Sequence, residues 1–536
     1  MSDTSIKRLE RLTAITASVA ILVLLIVRAR HAGALWRDEC GLVQLSQMPA
    51  MGDIVTNFPH EAFPPPFPIL VRGWTNVFGT SDGAFRCFGA TVGLLFIVIT
   101  WMSVRLLDSG VPLLSLALIG LNTAFLTWGT SIRGYGLAAT LIALTFGLTA
   151  RLLIRPTPLV IAATAAAFVA SAQCLVHNTV LLSTITLSAI AVCLVRRNLK
   201  HAVMVLAIGG MSFIAFLPYF RLYLSARDWD MTVRLSVPSS WLWAQFESAF
   251  GQPSPVMAWI WCGGIGLLMA AAIWRLYTKG PGKSGPETDI LLYGIVTCVT
   301  AFLGYYLFLQ VLRYYPQPWY FFGLLSIMGL ALDLFVNHLS DIKTLRIARV
   351  AFTGVLIIII PLGGWTAISQ RQTNIDIVAR ALEKRAAPAD LILVSPWQYG
   401  IPFNWYYHGK TPWITLPQLW DHRLHRYDLV KTKMTAADPI ADLRDAISQT
   451  LRDGHLVWIV GEVRVPNDNR PVKSLSPAPD PNYGWDSLAY VESWMEQIGI
   501  FLRSHAAAAR LISMPGSDAI NEQENAPLVV ARGWRD

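Results

Sequence analysis

The sequence predicts a polytopic α-helical membrane protein that carries a soluble α/β domain at its C-terminal end. Two observations lead there. Hydrophobic residues make up 54% of the 536-residue chain and charged residues only 14%, a balance beyond that of an ordinary water-soluble globule. The apolar residues are also gathered into long runs up to about residue 368, after which charge and proline become frequent and no run is long enough to span a bilayer. The expected boundary follows: a membrane domain over 1–368 and an α/β domain over 369–536.

Crossing roughly 30 Å of hydrocarbon takes about 20 mostly apolar residues in a helix. About 11 runs approach that length, centred in 12–28, 86–104, 111–128, 136–152, 158–174, 179–195, 202–220, 256–275, 290–310, 319–336 and 350–367. The first is read as an uncleaved helix rather than a signal peptide, because Arg28, Arg30 and His31 separate it from the small residues Ala32-Gly33-Ala34. The net charge of +9 is spread in short clusters between apolar runs, which orients a membrane protein and excludes the single basic stripe of a nucleic-acid binder. Lys7, Arg8 and Arg11, then Arg151 and Arg155, Arg196, Arg197 and Lys200, Arg275, Lys279 and Lys283, and Lys343, Arg346 and Arg349 occupy alternate connections. The positive-inside rule puts these in the cytoplasm with the N-terminus. The C-terminal domain then lies outside, and the expected location is the plasma (inner) membrane. Five of the six cysteines sit in or beside apolar runs with no C-x-x-C, so neither a disulfide framework nor a zinc cluster is indicated.

The outward connections hold 29–85, Thr130 to Tyr135, His177, 222–255, Leu312 to Pro318 and the C-terminal domain. Asp38 and Glu39 stand just after the first span, where a pair of carboxylates is costly unless it has work to do. Arg133 and Arg313 are expected on the face where orientation does not call for positive charge, so their placement needs another reason. The outer loop 29–85 continues with His60-Glu61 and Phe63-Pro64-Pro65-Pro66-Phe67-Pro68, whose prolines forbid a regular helix and stiffen the chain. Trp74, Phe78-Gly79-Thr80-Ser81 and Ala84-Phe85-Arg86 follow. A stiff, aromatic loop of this length reads as part of a site rather than a connection. In the C-terminal domain, Asp390 to Ser395, His455 to Gly461 and Pro527 to Ala531 read as strands, with a helix through Pro402 to Tyr407 and a surface loop over Pro471 to Tyr483.

This ordered set resembles the GT-C fold glycosyltransferases: Asp38-Glu39 after helix one, Pro-Pro, Trp74, Phe78-Gly79-Thr80-Ser81, Ala84-Phe85-Arg86 into helix two, and Arg133-Gly134-Tyr135 opening a later helix. It is most similar to the group of protein O-mannosyltransferases, lipid A aminoarabinose transferases and RgtA/B/C/D-like sugar transferases (glycosyltransferase family 39-like). Arg313-Tyr314-Tyr315-Pro316 is similar to the Arg-Tyr-x-x-Pro segment of that group. The likeness covers most of the first 220 residues. Phe63 stands where members often have histidine before Pro-Pro, and Ser131 where they often have glutamate. The resemblance implies transfer of a sugar from a polyprenyl-phosphate donor to a lipid, glycan or protein acceptor on the outer face, with inversion at the sugar carbon.

The residue types suit that chemistry. Displacing a lipid phosphate needs a base for the acceptor proton and positive charge for the departing phosphate. Asp38 is the expected base. Glu39 either orients it or helps to hold a divalent cation; no H-E-x-x-H or acidic ligand cluster argues for the metal, and the cofactor stays open. Arg133 and Arg313 are the expected phosphate clamps, since guanidinium pairs with phosphate through two parallel hydrogen bonds. Tyr135 supports the donor or belongs to the interfacial aromatic belt. His60, His177 and Tyr314 are candidate substrate contacts, with His177-Asn178 equally readable as a polar helix end. Asp228, Trp229, Asp230 and the stretch Trp241 to Phe250 suit either a sugar or interfacial anchoring. The competing class is a transporter or flippase of lipid-linked sugars. It accords less well with ionisable residues gathered at one membrane edge and with the lack of paired halves.

Overall fold

The computed structural model describes residues 2–279, 285–339, 341–465, 474–514 and 518–536; Lys283 of the expected basic connections and Pro471 to Lys473 of the expected surface loop lie outside the described residues. Two compact units emerge. The first takes in Met1–His31, Phe63–Phe220 and Ser236–Ser369, and the second takes in Ala32–Ala62, Arg221–Leu235 and Gln370–Asp536.

The first unit is helical. Among the described residues of the chain, nine helices are long and apolar enough to cross a membrane, against the 11 spans expected. Pro158–Cys174 is an apolar helix of 17 residues, just under the length of a span. The run 111–128 is not one helix but two pieces with π-helical turns at Leu116–Gly120 and Phe125–Gly129. The break has a cause in the sequence. Asn122 turns its side-chain oxygen onto the N–H groups of Ala124 and Phe125 and donates its amide to the carbonyls of Leu118 and Ala249, so it caps a second piece instead of continuing the first.

The first piece is capped as well. Asp333 accepts from the N–H groups of Leu113, Leu114 and Ser115 at 3.2, 3.0 and 3.0 Å and from the Ser115 hydroxyl at 2.7 Å. Asp333 lies on Phe322–His338, part of the span Pro318–His338, in whose most apolar window 94% of residues are buried in the protein. A carboxylate at such depth is tolerated only when its partners are built in. Tyr135–Ile154 packs against Asp82–Leu106, Pro158–Cys174 and Phe322–His338, and Asp3–His31 packs against Lys343–Ser369. Close approach explains one glycine: a Cβ on Gly136 would come within 1.8 Å of the Gly129 carbonyl.

The connection 29–85 is more helical than its prolines suggested. Arg37–Ser46 and Met51–Asn57 belong to the second unit, and Pro66–Phe78, in the first, begins with proline at its first position. Proline is tolerated there because the first N–H of a helix has no intrahelical partner to lose.

The second unit is built on a five-stranded sheet in the order β2-β1-β3-β5-β4. Its strands are β1 (Leu391–Ser395), β2 (Trp413–Thr415), β3 (Leu456–Gly461), β4 (Ala506–Ile512) and β5 (Leu528–Trp534). β1 runs parallel to β2 and β3, while β5 is antiparallel to β3 and β4. Every residue of β1 is buried, as expected for a central parallel strand covered on both faces. Helix Ile375–Arg385 supplies one cover: Ile375, Val378, Ala379 and Leu382 recur at helical spacing and pack with Ile392, Val394, Trp458 and Leu528. Ala441–Arg452 repeats the device with Leu443, Ile447 and Leu451.

Candidate active site

Within the second unit, the parallel strands end at Ser395, Thr415 and Gly461. Crevices outside the carboxyl ends of parallel strands are the usual ligand sites of such sheets. The chain leaving β1 places Trp397 here, and the chain leaving β2 brings Asp421, His425, Arg426 and Asp428.

Asp38 occupies the first turn of Arg37–Ser46 and is one-fifth exposed. That helix starts where it does because Glu39 reaches back to accept from the N–H of Trp36 at 3.3 Å, while Glu524 accepts from the N–H of Arg37 at 2.9 Å. The observed contact of Glu39, fully buried, is thus a helix cap. Asp38 Oδ1 instead faces His425 Nε2 at 3.5 Å and Arg37 Nε at 3.6 Å. The opposite ring nitrogen, Nδ1, lies 2.8 Å from Glu61 Oε1, which also accepts from the His425 main-chain N–H at 3.2 Å. Glu61 is fully buried in the space that Gly41 leaves, where a Cβ would sit 2.5 Å from its Oε1.

One imidazole therefore bridges two carboxylates. Burial alone pushes its pKa down; the charge of Glu61 and the hydrogen bond to Asp38 outweigh that and raise it to about 9. His425 is then an imidazolium at neutral pH. Beside it, His60 stacks on Trp229 with ring centres 5.4 Å apart, and Trp229 stacks on Tyr427 at 6.1 Å. Burial lowers the pKa of His60, whose Nδ1 lies 3.9 Å from Asp428. Asp428 and Asp421 are both held by Arg426, at 2.6 and 2.8 Å, and Asp421 also by Arg423 at 3.0 Å. Burial works to raise both carboxylates, but the guanidinium groups keep them below the usual range.

The first unit holds the other candidates. Arg133 is nearly buried, its guanidinium 4.5 Å over the ring of Phe63. Tyr135 meets the same ring edge-on at 5.4 Å and the ring of Tyr320 at 5.8 Å. His177 and Tyr314 also reach Tyr320, at 5.0 and 6.4 Å, and among the described residues His177 Nδ1 is buried without a hydrogen bond. Arg313 precedes Tyr314 in the chain. It ends helix Pro286–Leu312 in a left-handed turn with φ +53°, its side chain exposed and in no ion pair among the described residues.

The anticipated residues thus divide between the units: Asp38, Glu39 and His60 in the second, and Arg133, Tyr135, His177, Arg313 and Tyr314 in the first. Sequence reasoning left Glu61 without a role and did not single out His425. The density of titratable residues from Asp421 to Asp428 was the available signal. Among the described residues no group of three or more His, Cys, Asp and Glu is arranged to hold a metal ion. Asp38 and Glu39 do not fit a shared cation, since Glu39 turns to the Trp36 N–H and Asp38 to His425 and Arg37.

No protein-family model and no curated protein matches this chain in sequence. Solved structures do match in fold. ArnT from Cupriavidus metallidurans in the apo state is similar at a TM-score of 0.51 and 14% identity, over 84% of this chain and 92% of that one. The same protein bound to undecaprenyl phosphate gives 0.50 and 13%, over 83% and 92%. An Archaeoglobus fulgidus oligosaccharyltransferase complex with Zn and sulfate gives 0.48 and 11%, over 84% and 68%. The likeness to ArnT defines the class: this is a multi-pass membrane protein with the GT-C fold.

Proposed function

We propose that this chain is an integral-membrane glycosyltransferase that moves a sugar from a polyprenyl-phosphate donor to an acceptor on the extracytoplasmic face. The observation that carries the reading is Asp38, a partly exposed carboxylate fixed by a capped helix and charge-paired with His425, in a chain with the fold of ArnT. The ArnT structure that contains undecaprenyl phosphate supports the donor class. The basic connections support an outward-facing reaction in the plasma membrane.

The step is a single displacement. The acceptor hydroxyl oxygen attacks the sugar carbon as the carbon–oxygen bond to phosphate breaks, with inversion. Asp38 takes the hydroxyl proton, and the bonding pair leaves with the polyprenyl phosphate. Arg133 and Arg313 neutralise that phosphate as charge develops on it. Arg313, exposed on a left-handed turn, presents a cation that makes no ion pair among the described residues. Tyr135 supports the donor, and His60, His177 and Tyr314 contact substrate. Glu39 serves Asp38 by starting its helix.

The test uses purified protein in proteoliposomes supplied with membrane lipid extract containing labelled polyprenyl-phosphate sugars. Asp38→Asn is expected to lower transfer by about 100-fold or more, within the range of a lost general base. Turnover equal to wild type would remove Asp38 as the base. In the same assay Arg313→Ala is expected to raise the donor KM, with Lys restoring only part of the affinity; an unchanged donor KM would reject the clamp.

A further inference from the structure

We infer that His425 is a positioning residue for the transfer step, so that the C-terminal segment completes the base assembly and does not merely select the acceptor. The inference rests on the reading of Asp38 as base, and geometry carries it. Glu61 is the fixed end: fully buried, it accepts from both the ring and the main chain of His425 at 2.8 and 3.2 Å. That double contact sets the imidazole plane and aims the opposite nitrogen at Asp38. The Asp38 contact is the looser one, at 3.5 Å. The contact is made through Oδ1 and fixes the direction of the Asp38 carboxylate.

The surroundings support a placed side chain over an incidental one. Trp397 meets the His425 ring edge-on with centres 6.3 Å apart, and Tyr427 lies nearly parallel to it at 6.5 Å. The charged and titratable groups facing this ring and its two carboxylates include Arg37, Tyr427, His60 beside Glu61 and, through the Arg37 main chain, Glu524. The three principal members come from 38, 61 and 425, so a fault at the last is felt at the first.

The experiment compares wild type, His425→Ala, His425→Gln and Asp38→Asn in proteoliposomes with the labelled lipid extract, each with and without added imidazole, after matching melting temperatures. His425→Ala is expected to lose about ten- to a hundredfold in kcat, the scale on which misplacement of a reacting group acts, with donor KM nearly unchanged. Imidazole is expected to restore part of that loss. His425→Gln, which keeps an amide donor, should retain intermediate activity and stands in should the alanine variant not fold. Asp38→Asn should be inactive with or without imidazole. A His425→Ala enzyme with wild-type kcat, or a folded one whose loss neither imidazole nor glutamine relieves, would overturn the positioning role. An active Asp38→Asn would instead overturn the reading of the base.

Discussion

A histidine clamped between two carboxylates links stability to pH in a direction that can be worked out. The pKa of His425 in the folded protein is raised from 6.5 to about 9. A raised pKa means that the folded state binds the proton more tightly, so the contribution is complete below about pH 6.5 and is lost as pH climbs through about 9. A shift of that size corresponds to about 3 kcal/mol at most. The difference in melting temperature between wild type and His425→Gln should therefore be widest near pH 6 and shrink towards pH 9.5. A difference independent of pH would mean that His425 carries no extra proton in the fold. Asp38 was legible in the sequence because an acidic pair directly after an apolar run is conspicuous. Its histidine partner was not, since Glu61 and His425 stand 364 positions apart and only folding brings them together.

At the scale of elements, hydropathy and length located the long helices but could not see caps. The run 111–128 is apolar throughout except for Ser115 and the Asn122-Thr123 and Thr127 positions, and it reads as one span. In the fold, Asp333 and Asn122 each supply acceptors that start a new piece. Removing Asp333 takes the side-chain acceptor from the buried N–H groups of Leu114 and Ser115, while the Leu113 N–H keeps the Val111 carbonyl. At about 1–3 kcal/mol for each buried unsatisfied group, Asp333→Ala should destabilise the protein by several kcal/mol and Asp333→Asn by less. Thermal unfolding in detergent checks this, and an alanine variant as stable as wild type would deny the cap its role. In the second unit β1, β3 and β5 announced themselves by runs of leucine, isoleucine and valine. β2 is only three residues long, and β4 reads Ala506-Ala507-Ala508-Ala509, a helical preference overridden by pairing with β5 along the sheet edge.

For the whole molecule, the sequence suggests domains as contiguous stretches, whereas the second unit collects Ala32–Ala62 and Arg221–Leu235 along with Gln370–Asp536. Nothing in composition marks those two short segments as belonging with a sheet that begins only at Leu391; the pairing of Asp38 and Glu61 with His425 and the stacking of Trp229 on Tyr427 do. The chain shares its fold with ArnT, and a carrier of lipid-linked sugars would share the many spans of the proposed transferase. The two differ in what leaves the protein. A transferase releases one polyprenyl phosphate for each sugar delivered to acceptor, and a carrier returns the sugar still joined to its lipid on the other leaflet. The deciding measurement supplies doubly labelled polyprenyl-phosphate sugar to proteoliposomes containing the wild-type protein and counts both labels. The account predicts separated labels, with sugar on the acceptor and an equal amount of bare polyprenyl phosphate. Labels that cross the bilayer together and never part would contradict it.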